Sequence, residues 1–385
     1  MALISKLENI ADAIREKTGK EDKLTLDEMA VEIAAIETGG GSAELPEEAF
    51  LISGNCNYRL SFNGWNWYLK EYGKKITTKN INSASQMFAQ SNTLEEIPFD
   101  INITNNCKNI SSIFYYCQEL KEVPLIKGEL TAPTGDYSGT LDMGSMFTYC
   151  NNLRNIPYDY FHNFGGDAFW EASKNYKGNR GYMFQNCYSL RQLPDISMMK
   201  IKDTSAYSGI YYCTFTNCYA LDEITNLPVL NACAFTSNAF YSTFEKCSRV
   251  KDITFETNED GTPIAVSWKN QMIDLTKYVG IVYSGSNITG YNSGITGDKW
   301  VANSTKYEEL KNDPDWYTTS VPYSRYNHDS AVNTINSLPD ASSGSGNTIK
   351  FAGAAGANTD GGAINTLTEE EIAVAAAKGW TVTIA

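Results

Sequence analysis

The chain has 385 residues, enough for a sizeable core and, by length alone, for two or three domains unless a repeat array makes one long one. Its 31 Lys and Arg stand against 45 Asp and Glu, a net charge of -14 that repels phosphate backbones and anionic headgroups, so neither nucleic acid nor a membrane is an expected partner. No apolar run approaches the roughly 20 residues a spanning helix needs, and the first turns mix apolar residues with Lys6, Glu8, Asp12, Arg15 and Glu16, unlike a signal peptide, so export through an N-terminal signal is not expected.

Residues 1–38 predict an αα-hairpin, because Ile4, Leu7, Ile10, Ala11 and Ile14, then Leu26, Met29, Ala30, Ile33 and Ala34, recur at helical spacing. Thr18, Gly19 and Lys20 form the turn, and Thr25 with Glu28 supplies a capping box to the second helix. Two short helices cannot bury both apolar stripes alone, so Ile4, Leu7, Ile10, Ile14, Leu26, Met29 and Ile33 are expected to pack against copies of the chain or another protein. Folding back onto the next domain is the alternative. A Gly/Ser linker, 39–44, follows.

Residues 45–82, with Trp65, Trp67 and Tyr68, read as an N-terminal cap of strands. From 83 to 325 runs a repeat: an aromatic, two residues, Cys, two residues, Leu, two residues, an aliphatic, and usually Pro. Its six copies centre on Phe88, Phe114, Phe147, Phe184, Phe215 and Phe244, with Leu94, Leu120, Leu153, Leu190, Leu221 and Val250 at one offset. The position between them reads Ser91, Cys117, Cys150, Cys187, Cys218 and Cys247, a small polarisable residue where stacked turns leave no room for a larger one. These thiols are expected to pack, while disulfides stay open among Cys56, Cys107, Cys213 and Cys233.

Each copy should offer a short strand at Leu-x-x-Ile-Pro and a helix or turn at Phe-x-x-Cys, neither burying its apolar side until neighbours stack. Residues 252–268 predict a hairpin, with Ile253, Phe255, Ile264, Val266 and Trp268 flanking Asp260 and Gly261. A short helix is expected over Lys306 to Leu310, within a closing segment from Trp300 to Tyr317. Residues 326–385 read as C-terminal cap units: helix His328 to Leu338, strand Thr348 to Phe351, helix Thr368 to Lys378 ended by Gly379, strand Trp380 to Ile384.

Catalytic signatures are missing from the sequence. No zinc pair, P-loop, nucleophile elbow or calcium loop occurs, and His162 and His328 have no partner at a telling spacing, so no enzyme activity, metal or cofactor is expected. Glu95 with Glu96, Asp222 with Glu223, and Glu369 to Glu371 read as solvated faces. What stands out is the load of 24 Tyr and 7 Trp among many Asn, the mixture of rigid amphipathic rings and adaptable amides that recognition surfaces use. The candidate ligand-binding residues are Trp65, Trp67, Tyr68, Tyr115, Tyr116, Tyr149, Phe169, Trp170, Tyr176, Tyr207, Tyr211 and Tyr212.

The Met-Phe-x-x-Cys-x-x-Leu-x-x-Ile-Pro unit resembles the BspA-like leucine-rich repeats of bacterial surface proteins and some gut phages, over about 80–385. The spacing of its Phe positions is longer and less regular than the roughly 20–29 residues of ordinary leucine-rich repeats, so insertions should project from one face. The resemblance implies a mixed α/β repeat, a leucine-rich-repeat solenoid with irregular insertions preceded by the αα-hairpin. The hairpin itself, Ile10 to Gly19 and Leu24 to Ala30, resembles helical openings of tail and other virion proteins of gut phages. Together they imply a non-catalytic phage virion protein, a tail fibre or tail-associated protein, whose 1–38 hairpin anchors it to other virion proteins or makes a homo-oligomer. Its repeats would hold a host surface polysaccharide or protein. A BspA-like bacterial cell-surface adhesin is the alternative; a polysaccharide depolymerase and a purely structural virion component are the others.

Overall fold

The computed structural model describes residues 50–72, 75–131, 141–173, 181–199, 211–229, 239–247, 250–276, 283–284, 287–288, 326–351 and 366–384. The chain divides into two units, Met1–Ala49 and Phe50–Ala385, and every described residue belongs to the second. The expected hairpin with Ile4, Leu7, Ile10, Ile14, Leu26, Met29 and Ile33, its linker, the segment Trp300 to Tyr317, and Cys233 lie outside the described residues. Among the described residues no helix is long and apolar enough to cross a membrane.

The first strand, β1 (Phe50–Asn55), pairs in parallel with β2 (Ile76–Ser83), and helix α1 (Gly64–Tyr72) lies in the connection that a parallel pair requires. The stretch expected to hold only strands therefore contains a helix. Its aromatics suggested strand, but Trp65, Tyr68, Leu69 and Tyr72 fall at helical spacing and pack on the core, so burial along one helix face overrides propensity.

The Phe-x-x-Cys stretches are runs of tight turns stacked in parallel, not helices. In the first copy Met87, Ala89 and Ser91 donate backbone N–H bonds three residues back within the turn, to Ala84, Gln86 and Phe88. The intervening Gln86, Phe88 and Gln90 donate instead to the carbonyls of Ser111, Ile113 and Tyr115 in the next copy. Ser112, Phe114 and Tyr116 repeat this onto Gly144, Met146 and Thr148, and Ser145, Phe147 and Tyr149 onto Gly181, Met183 and Gln185. Alternate donors thus serve the turn and the neighbour, which satisfies the buried backbone. Cys56, Tyr58 and Phe62 donate to Ser83, Ser85 and Ala89, so a turn segment without the sequence signature precedes the first copy.

This alternation requires left-handed backbone two residues before and two after each Phe: Gln86 and Gln90, Ser112 and Tyr116, Ser145 and Tyr149, Tyr182 and Asn186, Cys213 and Asn217, Ser242 and Lys246. None is Val, Ile or Thr, whose branched Cβ that backbone penalises most. Strands follow the turns. β3 (Ile101–Asn102) pairs with β4 (Ile126–Lys127), and β5 (Glu223–Leu227) with β6 (Asp252–Phe255), both in parallel. In the first two copies the strand falls after the Pro instead of at Leu-x-x-Ile-Pro.

Inside the ladder the six Phe rings stack in sequence, with centroids 5.7, 5.8, 5.8, 6.0 and 6.3 Å apart and all fully buried. Burying each ring contributes roughly 1.5–3 kcal/mol. Beside them Cys117, Cys150, Cys187, Cys218 and Cys247 each donate a thiol hydrogen to the Phe carbonyl one copy back, at 3.0 to 3.2 Å. Burial pushes all five thiols up, which keeps them protonated and able to donate. Ser91 begins this column, and its buried hydroxyl has no partner. Cys56, Cys107 and Cys213 are buried free thiols as well.

Past β6 the expected hairpin does not close. Asn258 to Thr262 makes a turn with one antiparallel bridge, Thr257 to Pro263, but β6 belongs to β5 and Ala265 bridges in parallel to Asp340. Ile253 and Phe255 are buried in the core, and that burial decides the pairing. A three-stranded parallel sheet follows, ordered β11 (Trp380–Ile384), β10 (Asn347–Phe351), β7 (Met272–Leu275). Helix α3 (His328–Ser337) starts at an Asn327 capping box and α4 (Glu369–Ala377) at a Thr368 capping box with Glu371. Gly379, at φ +79°, turns α4 into β11, where a Cβ would sit 2.6 Å from the Ala341 carbonyl oxygen. The short strands β8 (Tyr283–Ser284) and β9 (Asn287–Ile288) pair antiparallel.

Two short 3-10 turns, Tyr160–Asn163 and Ser197–Met199, and helix α2 (Asp167–Ser173) sit in the longer connections of the third and fourth copies. Tyr160, fully buried, donates its hydroxyl to the Pro124 carbonyl and its ring meets Phe147 edge-on. That anchors the insertion to the ladder.

Candidate functional site

The structure sorts the candidate aromatics by burial. Trp65 is fully buried, donates its indole N–H to the Arg59 and Met87 carbonyls, and packs at 4.5 Å on Phe88. It caps the Phe stack and cannot meet a ligand. Phe169 is buried against Trp170 at 4.7 Å, and Tyr211 is fully buried with its hydroxyl on the Pro228 carbonyl, so both are withdrawn as contact residues. Tyr68 is half-buried between Phe50, Trp65 and Tyr72, whereas Trp67, edge-on to Tyr72 at 6.1 Å, is 56 % exposed. Tyr176 and Tyr207 lie outside the described residues.

Tyr115, Tyr116 and Tyr149 are brought together. They stand on consecutive copies, partly exposed, with Tyr116 stacked on Tyr149 at 4.1 Å and 26° and Tyr115 against both at 4.8 and 6.3 Å. The left-handed backbone at Tyr116 and Tyr149 directs the chain so that these rings share one outward column. One step toward the N-terminus, Phe62, Asn63, Gln90, Asn92 and Tyr116 line a hollow of about 370 Å³. Partial burial and the hydrogen bond it donates to Tyr149 push the Tyr116 phenol up to about 12, so it stays neutral and keeps its hydrogen. The surface offers flat rings, phenol hydroxyls and amides without charge.

Tyr212 belongs to a second stack, between Tyr182 at 5.3 Å and the exposed Tyr241 at 5.0 Å. Sequence reading missed Phe62, Tyr182 and Tyr241. Their signal was positional: Tyr182 stands two residues before its Phe, and Tyr212 and Tyr241 three before theirs.

A cleft for which sequence reading named only Trp170, which is itself buried in the wall, gathers residues from 158 to 256 around about 530 Å³. His162 stands at its wall between two carboxylates, Nε2 at 2.9 Å from Asp195 and Nδ1 at 3.3 Å from Asp167. Burial acts to raise Asp195, but hydrogen bonds from His162 and Ser197 outweigh it and hold the carboxyl below the usual range. The second histidine, His328, likewise lies between Asp329 at 3.3 Å and Glu371 at 3.1 Å. Asp195 and Glu371 reach these histidines through tertiary structure that sequence spacing could not reveal. Among the described residues no group of three or more His, Cys, Asp or Glu is placed to hold a metal ion.

Comparison with known protein families, curated proteins and solved structures finds no match to this chain.

Proposed function

We propose that this chain is a non-catalytic virion protein of a phage, a tail fibre or tail-associated component that holds a host bacterial surface ligand. In this reading residues from about 80 to 385 form a leucine-rich-repeat solenoid of the BspA-like kind, and the N-terminal hairpin joins the virion or further copies. The observation that carries it is the Tyr115, Tyr116 and Tyr149 cluster, three neutral, partly exposed rings stacked on consecutive turns beside a hollow lined with amides. Rings of this kind give rigid contact area at low entropic cost, and their hydroxyls give direction, which suits sugar faces and protein loops alike. Several copies on one particle multiply a weak single-site affinity.

The test is binding of the labelled full-length chain to a panel of gut bacteria, before and after periodate oxidation of surface glycans. Strain-specific binding that periodate removes, and that Tyr116→Ala with Tyr149→Ala also removes, supports a polysaccharide ligand; binding that survives periodate but not surface proteolysis supports a protein ligand. No binding to any strain overturns the reading in favour of a structural virion component.

A further inference from the structure

We propose that the hollow at the head of the tyrosine row holds one ring of a neutral oligosaccharide, with Phe62 and Gln90 as its recognition residues. The proposal rests on the surface-ligand reading above and narrows that ligand from polysaccharide or protein to an uncharged glycan. The ladder itself sets the row. Phe62, Gln90, Tyr116 and Tyr149 donate their backbone N–H groups to Ala89, Tyr115, Thr148 and Gln185, so they hold one position in four successive turns. All four share left-handed backbone, at φ +60°, +61°, +62° and +64°, which starts their side chains in the same direction. With hydrogen-bonded neighbours roughly 4.8 Å apart, the row spans roughly 14 Å, longer than a single sugar ring. It ends where burial begins: Asn186 and Asn217, next in the same position, are buried and hydrogen-bonded to each other.

Three features define the ligand. First, Phe62 is 69 % exposed on a backbone that penalises a bulky side chain, and among the described residues no ring contacts it. Stability alone favours Gly or Asn there, so the ring is kept at a cost, which points to a contact made outside the chain. Second, Gln90 interrupts the aromatic row between Phe62 and Tyr116, and the hollow of about 370 Å³ opens there, within the range of small-ligand sites. The Gln90 amide has no hydrogen-bond partner among the described residues; Asn92 accepts the Asn63 amide at 2.5 Å, while its own NH2 has no acceptor among them. Third, the lining, Phe62, Asn63, Gln90, Asn92 and Tyr116, carries no charged residue.

A flat apolar face beside unpaired donors and acceptors matches a pyranose, whose C–H face lies on a ring while the hydroxyls at its edge both donate to and accept from amides. A Pro, Leu or Phe side chain of a protein ligand would cover Phe62 but bring nothing to the Gln90 and Asn92 amides, which would then lose water unpaired. A uronate, sialate or phosphate would find no Lys or Arg in the lining and would meet a chain of net charge -14. A cationic amine would find no carboxylate there. Two of the amides are set before binding: Asn63 holds Asn92 and accepts the Thr93 N–H at 3.3 Å. Such preorganisation lowers the ordering cost of binding.

The experiment applies the full-length chain to an array of bacterial oligosaccharides of graded length, neutral, acidic or amino-bearing, with calorimetry on the strongest binder. Binding is expected to neutral members alone, and to strengthen from one ring up to the length of the row before levelling off. Phe62→Asn, which removes the ring and suits left-handed backbone, should weaken that binding about tenfold or more while leaving the unfolding midpoint unchanged or raised. Phe62→Trp should keep the binding, and Gln90→Ala should weaken it several-fold. A lowered midpoint in Phe62→Asn would assign the ring to the fold instead. Binding to charged members only, binding to no member, or neutral-glycan binding that survives Phe62→Asn overturns the proposal. Cell binding that is lost in the Tyr116→Ala, Tyr149→Ala chain but kept in Phe62→Asn, or that surface proteolysis alone abolishes, overturns it and leaves the surface-ligand reading standing. Phe62-dependent binding to a neutral glycan without binding to any bacterial strain keeps the site and overturns that reading instead.

Discussion

Two columns of stacked aromatic rings run through the same copies, and they differ in which side of the turn they leave. Phe114 and Phe147 stack at 5.8 Å and 13° in the core; Tyr116 and Tyr149, two residues further on, stack at 4.1 Å and 26° at the surface. One backbone rise spaces both pairs, because the N–H groups of Phe114 and Tyr116 donate to the same neighbouring copy. Water separates their roles. A Phe ring is surrounded by the next ring, the thiol column and the Leu column, so its removal leaves a void. The Tyr rings keep an open side, which lets substitution there alter recognition without dismantling the ladder. A regular scaffold can therefore present an aromatic recognition row at small energetic cost.

The largest effect should come from breaking the inner column. Phe147→Ala removes a fully buried ring with stacked neighbours on both sides and is expected to cost about 3–5 kcal/mol by chemical denaturation. Tyr149→Ala on the same copy should cost about 1 kcal/mol or less while weakening cell binding. Equal destabilisation by the two would abolish the distinction between the columns.

The thiol column sharpens the comparison from the packing side. Cys150 has no exposed surface and its Sγ lies 3.2 Å from the Phe114 carbonyl oxygen. Cys150→Leu should therefore overpack and cost about 1–3 kcal/mol. Ser91→Cys, at the head of the column, replaces an unpartnered hydroxyl with a less polar thiol and should stabilise, by up to about 1 kcal/mol. A loss of stability in Ser91→Cys would show that the orphan hydroxyl is not a liability.

These effects bear on what the sequence could disclose. The Phe, Cys and Leu positions were readable because stacking demands one residue type at one offset, copy after copy. Helices α3 and α4 with strands β10 and β11 were readable because local chemistry marks their ends, notably Thr368 with Glu371 at one start and Gly379 at one stop. Helix α1 was not, since Trp65, Tyr68 and Tyr72 are as much at home in a strand and only contact with Phe88 and Phe50 selects the helix. The hairpin expected at 252–268 failed for the same reason: its local turn forms, but its arms are claimed by partners distant in sequence. For the candidate site, composition pointed to aromatics but could not divide them. Tyr211 and Tyr212 are adjacent, yet one is sealed in the core and the other stacks at the surface. Knowing the left-handed positions would have separated them, and backbone handedness leaves only a faint trace in sequence, the lack of β-branched residues there.

The smallest expected effect contrasts the ladder with the C-terminal helices. The ladder core holds Phe rings and thiols that stay protonated, whereas α3 and α4 are joined by a titratable clasp, His328 Nε2 to Glu371 at 3.1 Å. Burial acts to lower His328, but hydrogen bonds to Asp329 and Glu371 outweigh it and raise the imidazole above its ordinary value; a backbone hydrogen bond at Thr368, with His328, holds Glu371 below its own. A raised folded-state value means the His328 contribution is complete below the unfolded value and is lost as pH rises through the folded one. A depressed value means the Glu371 contribution is complete above its unfolded value and is lost as pH falls through the folded one. The clasp should thus be strongest in mildly acidic solution, between the two unfolded values, and loosen toward pH 8. Amide exchange at the start of α4 should quicken between pH 6 and pH 8 beyond the intrinsic rate change, while amides around Phe147 keep their protection. His328→Gln should remove that extra acceleration. If the substituted chain keeps it, the clasp is not what joins the helices, and the packing of α3 against α4 carries the junction unaided.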